Sequence, residues 1–385
     1  MKEIKSEAKL TFWEATSIII GHGVGSGILS VPYLASRNSW LHIFLIILIA
    51  YLINLLLHYM IAELSLNNGG AQFIKCIENE LFTGKLKKVV TWIAFGFLGF
   101  SVITNICGFI TGSAAVLESW FGIPSRIGMF IYYVVVSVVV LFGMKLVGIC
   151  EKISVFAMVG VIGVLFVATL IAGYSDFPSK FISSSNMIAL YSIVSFSLSA
   201  VMSVPQVVKG LDGDSKKIKS SIAAGTGINV GLIIIITFIT IFACGSNISE
   251  NGALVDLSAK LGGWVAVIGY IFSLLALSTS FWANSLNIRD IIHEQTKWNV
   301  KLCYIISTIP CILISLIGFS SFVAFTRIAS VIQVLTGIAI ICAYAKSRKR
   351  EENSPICGKF GILAFQIIVC LSSVFATLGA LAPVK

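Results

Sequence analysis

The residues of this chain whose types and spacing could do chemistry are gathered in one stretch, Ile18 to Pro32, which reads IIIGHGVGSGILSVP. Glycines stand at alternate positions, Gly21, Gly23, Gly25 and Gly27. Each costs about 1 kcal/mol in a helix relative to alanine, so the pattern predicts a helix that breaks midway. A break leaves unpaired C=O groups at the end of the first half-helix and unpaired N–H groups at the start of the second. The carbonyl end suits a cation or an ammonium group; the N–H end suits a carboxylate. One break can therefore hold both ends of a zwitterion, the charge pattern of an α-amino acid. Here the donors would be the N–H groups of Ser26, Gly27 and Ile28, and the carbonyls those near Ile20 to Val24. Gly23 and Gly25 let the substrate approach the backbone. The other reading of G-x-G-x-G, a dinucleotide loop, needs a preceding strand and an acidic residue about 20 positions on, and neither is present.

The elements that must position this stretch are membrane helices. Of 385 residues, 57% are hydrophobic and 11% charged, and the mean hydropathy is +0.98, which excludes a water-soluble domain and predicts an all-α, multi-span membrane protein. A net charge of +10 would suggest nucleic acid in a soluble protein. In this chain it is a topology signal, and no nucleic-acid partner is expected; membrane lipids are. Eleven apolar runs of spanning length cover 11–36 (broken), 39–64, 88–117, 124–147, 152–174, 186–209, 220–244, 263–290, 299–318, 321–345 and 361–382. With the N-terminus inside, 21 of the 27 Lys and Arg fall on one face and five on the other, with Arg327 inside a helix. The positive-inside rule then predicts a cytoplasmic N-terminus and an external C-terminus in a plasma-membrane protein. The opening MKEIKSEAKL lacks a small-residue cleavage site, so no removable signal peptide is expected. The nine cysteines show no metal-ligand spacing and read as core residues.

Ser30-Val31-Pro32, just past the glycines, recurs as Ser203-Val204-Pro205 in the sixth run, after the low-propensity patch SFSLSAV. Five helices separate the copies, so the second block enters the membrane from the opposite side. This predicts a single domain over 1–385 built as a five-plus-five inverted repeat, 11–174 and 186–345, with an extra helix at 361–382 and paired breaks in helices one and six. Between helices two and three, Asn67 to Gly70 reads as a turn followed by a short amphipathic helix, either a solvated connector or a gating element. The segment AKSRKREENSPICGKF reads as a disordered polybasic linker.

Ionisable and polar residues inside the spans complete the candidates. His22, within the break, is either a pH-sensitive gate or proton relay, or a cap on a loose carbonyl. Glu14 would close an inner gate with a basic residue or face the interface. Arg327 would gate the outer side or snorkel. His58 and Glu63 read as structural hydrogen-bonding groups. Thr104 and Asn105 on the third helix would face a substrate side chain or join helices as polar glue. Trp13, Trp40, Trp92, Trp120, Trp264 and Trp298 read as an interfacial belt. No carboxylate cluster, H-E-x-x-H or Ser/Lys arrangement supports an enzyme.

On GSGILSVPY and FSLSAVMSVPQVVKGL, the chain resembles the amino acid-polyamine-organocation superfamily, and within it the amino acid/auxin and aromatic amino acid permeases. The resemblance implies the leucine transporter fold and alternating access. It places Phe196, Ser197 and Ser199 at the substrate amine and side chain, where sodium-coupled relatives carry F-T-L-S. It likewise assigns Ala276, Thr279 and Ser280, in the A-x-x-T-S spacing, to a Na+ site completed by the carbonyls of Gly21 and Val24. The asparagine of a second sodium site corresponds to Ile28, and the fifth helix offers only Lys152 near its start where some proton-coupled relatives place a lysine midway. One coupling Na+ is thus implied. Proton-coupled aromatic permeases carry a similar Thr-Ser pair, which keeps H+, carried by His22 or Glu14, as the alternative. The function implied is a secondary transporter importing a neutral, hydrophobic or aromatic L-amino acid. An ion channel is the reading of another class. The identity of the amino acid and the oligomeric state stay open.

Overall fold

The computed structural model describes residues 9–24, 26–173, 184–245, 248–249, 253–318, 322–350 and 354–380, with the side chains of 26, 322–335 and 380 excluded. Every described regular element is helical. In chain order these are α1 (Phe12–Gly23), α2 (Val31–Ala35), α3 (Trp40–Asn67), α4 (Phe73–Glu80), α5 (Lys87–Phe121), α6 (Ser125–Leu141), α7 (Met144–Ala172), α8 (Ser184–Ser197), α9 (Val204–Gly210), α10 (Ser215–Cys244), α11 (Ala253–Leu261), α12 (Trp264–Thr296), α13 (Val300–Ile317), α14 (Phe322–Arg350) and α15 (Leu363–Ala380). Helix lies on each of the eleven apolar runs. Among the described residues, α3, α5, α7, α8 with α9, α10, α12 and α13 are long and apolar enough to cross a membrane; α1 and α2 form a further span bent by 47°.

Both expected breaks are present, and they share a local structure. After α1 the chain passes through a 3-10 turn, Ser26–Ser30, and Ser30 caps α2 with Pro32 in its first turn. After α8 it passes through a 3-10 turn, Val201–Ser203, and Ser203 caps α9 with Pro205 in the same place. The caps have φ/ψ of −92°/−15° and −86°/−17°. Proline suits the first turn of a helix because its missing N–H would be unpaired there anyway. The two Ser-Val-Pro copies therefore restart two half-helices in the same way.

The buried apolar side chains divide into two clusters, and the division runs through the breaks. Ile18, Ile19, Ala200, Met202 and Phe281 belong to one cluster; Ile20, Val24, Leu198 and Ala276 belong to the other. The layer between them holds both breaks.

Two expectations about local structure are corrected, and the short amphipathic helix between the second and third spans is found docked. The fifth span starts at Met144 rather than 152, because Gly143 (φ 91°, ψ −177°) turns the chain sharply after α6 and helix resumes at once. This places Glu151 about two turns inside a helix. The polybasic segment is not a loose linker where described. α14 continues through Arg350, and the Glu63 carboxylate accepts hydrogen bonds from Ser354 Oγ (2.7 Å), the N–H groups of Ile356 (3.1 Å) and Cys357 (2.9 Å), and Tyr344 Oη (2.9 Å), with Arg348 at 3.2 Å. α4 is present as expected but docks rather than floating: Phe73, Ile74, Cys76 and Ile77 are buried, and the Gln72 N–H donates to Glu294 Oε2 at 2.9 Å.

Candidate functional site

α1 begins with a capping box. The Thr11 hydroxyl accepts the Glu14 N–H, and the Glu14 carboxylate accepts the Thr11 N–H. Glu14 also pairs with Lys145 of α7 at 2.6 Å. Close by, the Leu10 N–H donates to Gly210 O (2.8 Å) and Lys9 pairs with Asp212 (2.9 Å). These contacts tie the basic-face ends of α1, α7 and α9 together. Glu14 is therefore buried against a basic partner.

One turn before the break, three carbonyls of α1 are engaged from outside the helix or by its own cap. Ile19 O accepts Asn229 Nδ2 of α10 (3.3 Å), Gly21 O accepts the Thr279 hydroxyl of α12 (2.8 Å), and Ile20 O accepts the Val24 N–H (2.7 Å). The Thr279 hydroxyl also reaches Ala276 O at 2.9 Å. Three of the residues assigned to the ion by resemblance, Gly21, Ala276 and Thr279, are thus in direct contact. Val24, at the cap of α1, and Ser280, beside Thr279, are buried in the same layer.

Among the described residues His22 reaches no carbonyl. Its Nδ1 lies 2.8 Å from the Ser203 hydroxyl, so the break in α1 touches the serine that restarts α9. The break between α8 and α9 has its own support from α3. His58 Nε2 accepts the Ala200 N–H at 2.9 Å, while Nδ1 bonds to Asn54 O. Because an amide N–H can only donate, Nε2 is the acceptor and Nδ1 carries the proton. His58 is a neutral structural cap for the second break, as its sequence context suggested.

The two breaks meet at Gly27. A Cβ there would lie 2.7 Å from Ser197 Oγ and 2.8 Å from the Phe196 ring, so any larger residue would have to displace one of the two side chains. Ser197 is buried and its hydroxyl donates to Ile193 O, whereas Phe196 is 50% exposed. Gly23 is equally close to Asn229, with a would-be Cβ 2.1 Å from Nδ2. Ser199 is half-buried in the second break, its N–H bonded to Phe196 O. Of the expected substrate residues, Gly23, Gly27, Phe196, Ser197 and Ser199 are therefore at the junction. Thr104 is not shown there: it is buried and donates to Phe100 O and Ser101 O of its own helix. Gly25 and the side chains of Ser26 and Arg327 lie outside the described residues.

Two residues of this layer were missed in the sequence. Asn229 was passed over as an isolated amide in an apolar run, and Glu151 was hidden by the misplaced start of the fifth span. Glu151 is fully buried, and a Cβ on Gly21 would stand 1.9 Å from its Oε2 and 3.0 Å from Thr279 Cβ.

Residues 8–378 match the tryptophan/tyrosine permease family. The chain belongs to that family. No match is found among curated proteins. Among solved structures, it is similar to MhsT in complex with L-phenylalanine (16% identity, 97% of this chain and 99% of that one, TM-score 0.69). It is also similar to MHP1, a nucleobase-cation-symport-1 family transporter with bromovinylhydantoin bound (13%, 98% and 92%, TM-score 0.65). A manganese transporter of Eremococcus coleocola is a third such structure (13%, 99% and 90%, TM-score 0.63). At these identities the likeness establishes the shared leucine transporter fold. This permease is accordingly a multi-span membrane transporter and not an enzyme.

Proposed function

We propose that this permease imports a neutral, aromatic or hydrophobic L-amino acid by alternating access, coupled to one Na+. The observation that carries the reading is the junction of the two breaks. Gly27, Phe196 and Ser197 lie in contact, next to the oxygen set of Gly21, Ala276 and Thr279. The amino acid lies across the broken helices, its carboxylate at the N–H groups that begin the second half of helix one and its side chain against Phe196. Phe196 is large, apolar and half exposed in the middle of the protein, which favours an aromatic substrate, in keeping with the family and with the L-phenylalanine bound by MhsT.

Carbonyl and hydroxyl oxygens are ligands for a hard cation, and the two groups that the sequence offers for proton coupling have partners, His22 with Ser203 and Glu14 with Lys145. The contacts Glu14–Lys145, Leu10–Gly210 and Lys9–Asp212 hold the basic face together, in keeping with a closed inner gate if the N-terminus is cytoplasmic. Transport then requires release of these contacts and movement of α1–α2 and α8–α9 against the remaining helices, which the inverted repeat makes symmetric. In proteoliposomes at clamped pH, uptake of L-tryptophan, L-tyrosine or L-phenylalanine is expected to saturate and to need an inward Na+ gradient. Uptake driven by a pH gradient alone would refute Na+ coupling, and no uptake of any of the three would refute the substrate class.

A further inference from the structure

Five carboxylates are buried among the described residues, and four of them have partners. Glu14 has Lys145, Glu63 has Arg348 with backbone N–H groups, Glu80 has Arg350 and Asn68, and Asp290 has Arg289. Glu151 is the fifth. It is 0% exposed, and neither of its oxygens is hydrogen-bonded to any described residue. An ionised carboxylate is costly to bury alone, by several kcal/mol even after relaxation, so Glu151 is neutralised either by a proton or by a cation beside it.

Among the described residues no basic side chain pairs with it. Lys145 is engaged by Glu14, and Lys152, the next residue along α7, points away because adjacent helical positions do not share a face. Beside the carboxylate lie the backbone of Gly21 and the side chain of Thr279. Gly21 O and Ala276 O share the single proton of the Thr279 hydroxyl, and Gly21 has no side chain to separate them from Glu151 Oε2.

The geometry points to Glu151 as the charged ligand of the coupling cation, completing with the carbonyls of Gly21 and Ala276 and the hydroxyl of Thr279 an all-oxygen Na+ site. This rests on the Na+-coupled reading above and adds a charge to it. The site becomes neutral when occupied, and the ion joins α7 to α1 and α12. Sodium thereby fixes the first half-helix at the position from which the break receives substrate.

The test is thermal unfolding of the full chain in detergent, with NaCl replacing KCl at constant ionic strength and pH and no amino acid present. The wild-type protein is expected to melt higher in Na+ with a saturable midpoint. Glu151→Gln keeps the shape and removes the charge. Its melting temperature in K+ is expected to equal or exceed the wild-type value, and its Na+ midpoint to rise at least about tenfold. An unchanged Na+ midpoint in Glu151→Gln overturns the role of Glu151 and leaves Na+ coupling standing. A wild-type protein indifferent to Na+ overturns both. If Glu151→Gln does not fold, Glu151→Asp carries the test: its carboxylate is withdrawn from Gly21 by one methylene, so the Na+ midpoint must rise while the K+ baseline holds.

Discussion

Replacing Gly27 with alanine puts the proposed substrate site under a measured load. The added Cβ would stand 2.7 Å from Ser197 Oγ, 2.8 Å from Phe196 Cδ1 and 3.1 Å from Cε1, closer than carbon atoms settle in folded proteins. Ser197 cannot yield, since it is buried and bonded to Ile193 O at 2.8 Å. Phe196 can, because half of it is exposed. The ring therefore swings into the space assigned to the substrate side chain. Overpacking by one methyl group costs about 1–3 kcal/mol. Because the ring has room to move in the empty protein, folding escapes most of this and binding bears it, which weakens affinity roughly 5- to 150-fold. Equilibrium binding of L-phenylalanine and L-tryptophan to purified protein measures the loss, with thermal unfolding as the folding control. The double variant Gly27→Ala with Phe196→Ala removes the clashing ring, so the two losses must be non-additive by at least about 0.5 kcal/mol. Wild-type affinity in Gly27→Ala, or strict additivity in the double variant, would refute the contact between the two breaks as the substrate site.

Replacing His58 with leucine leaves the Ala200 N–H without its acceptor at the second break, and an unsatisfied buried donor costs about 1–3 kcal/mol; thermal unfolding is expected to show this loss, and unchanged stability would contradict the cap. Glu63→Gln removes the charge that gathers Arg348, Ser354 and the N–H groups of Ile356 and Cys357. Breaking such a buried pair costs about 3–5 kcal/mol, and amide hydrogen exchange at 354–361 is expected to accelerate more than exchange in α3. Asp214 caps α10 by accepting the N–H groups of Lys216 and Lys217, and Asp214→Ala is expected to cost about 1 kcal/mol near neutral pH. The Lys217 N–H, followed by the Lys217 side chain and the Lys216 N–H, lowers the Asp214 pKa below its ordinary value. The cap is therefore fully present above the ordinary aspartate range and is lost as pH falls through the lowered value. The difference in melting temperature between wild type and Asp214→Ala must shrink on acidification, and a difference that grows would contradict the cap.

Much of the site was legible because backbone chemistry leaves marks in composition. Alternating glycines announce a break, since no apolar span accommodates four of them without a penalty. The repeated Ser-Val-Pro marks a helix restart, since proline is best tolerated in the first turn. The A-x-x-T-S spacing places a hydroxyl and a carbonyl on one helical face. Where the reading failed, the cause was a boundary or a partner in another element. Gly143 allowed α7 to start earlier than the apolar run suggested, which carried Glu151 from a loop into the core. Glu63 ordered a segment whose charge suggested a disordered linker, because the partners of a carboxylate nearly three hundred positions away cannot be read from local composition.

The sequence by itself determined that this is an all-helical membrane protein, where its first helix breaks, and which residues carry the family likeness. These follow from hydropathy and backbone propensity, which are local properties. Only the tertiary structure decided that His22 reaches Ser203, that His58 caps the second break, that Gly27 receives Phe196 and Ser197, and that Glu151 faces Gly21 without a partner. Each of these is an encounter between residues on different helices. Their distances are set by how the helices pack, and that packing depends on the summed fit of the whole buried surface.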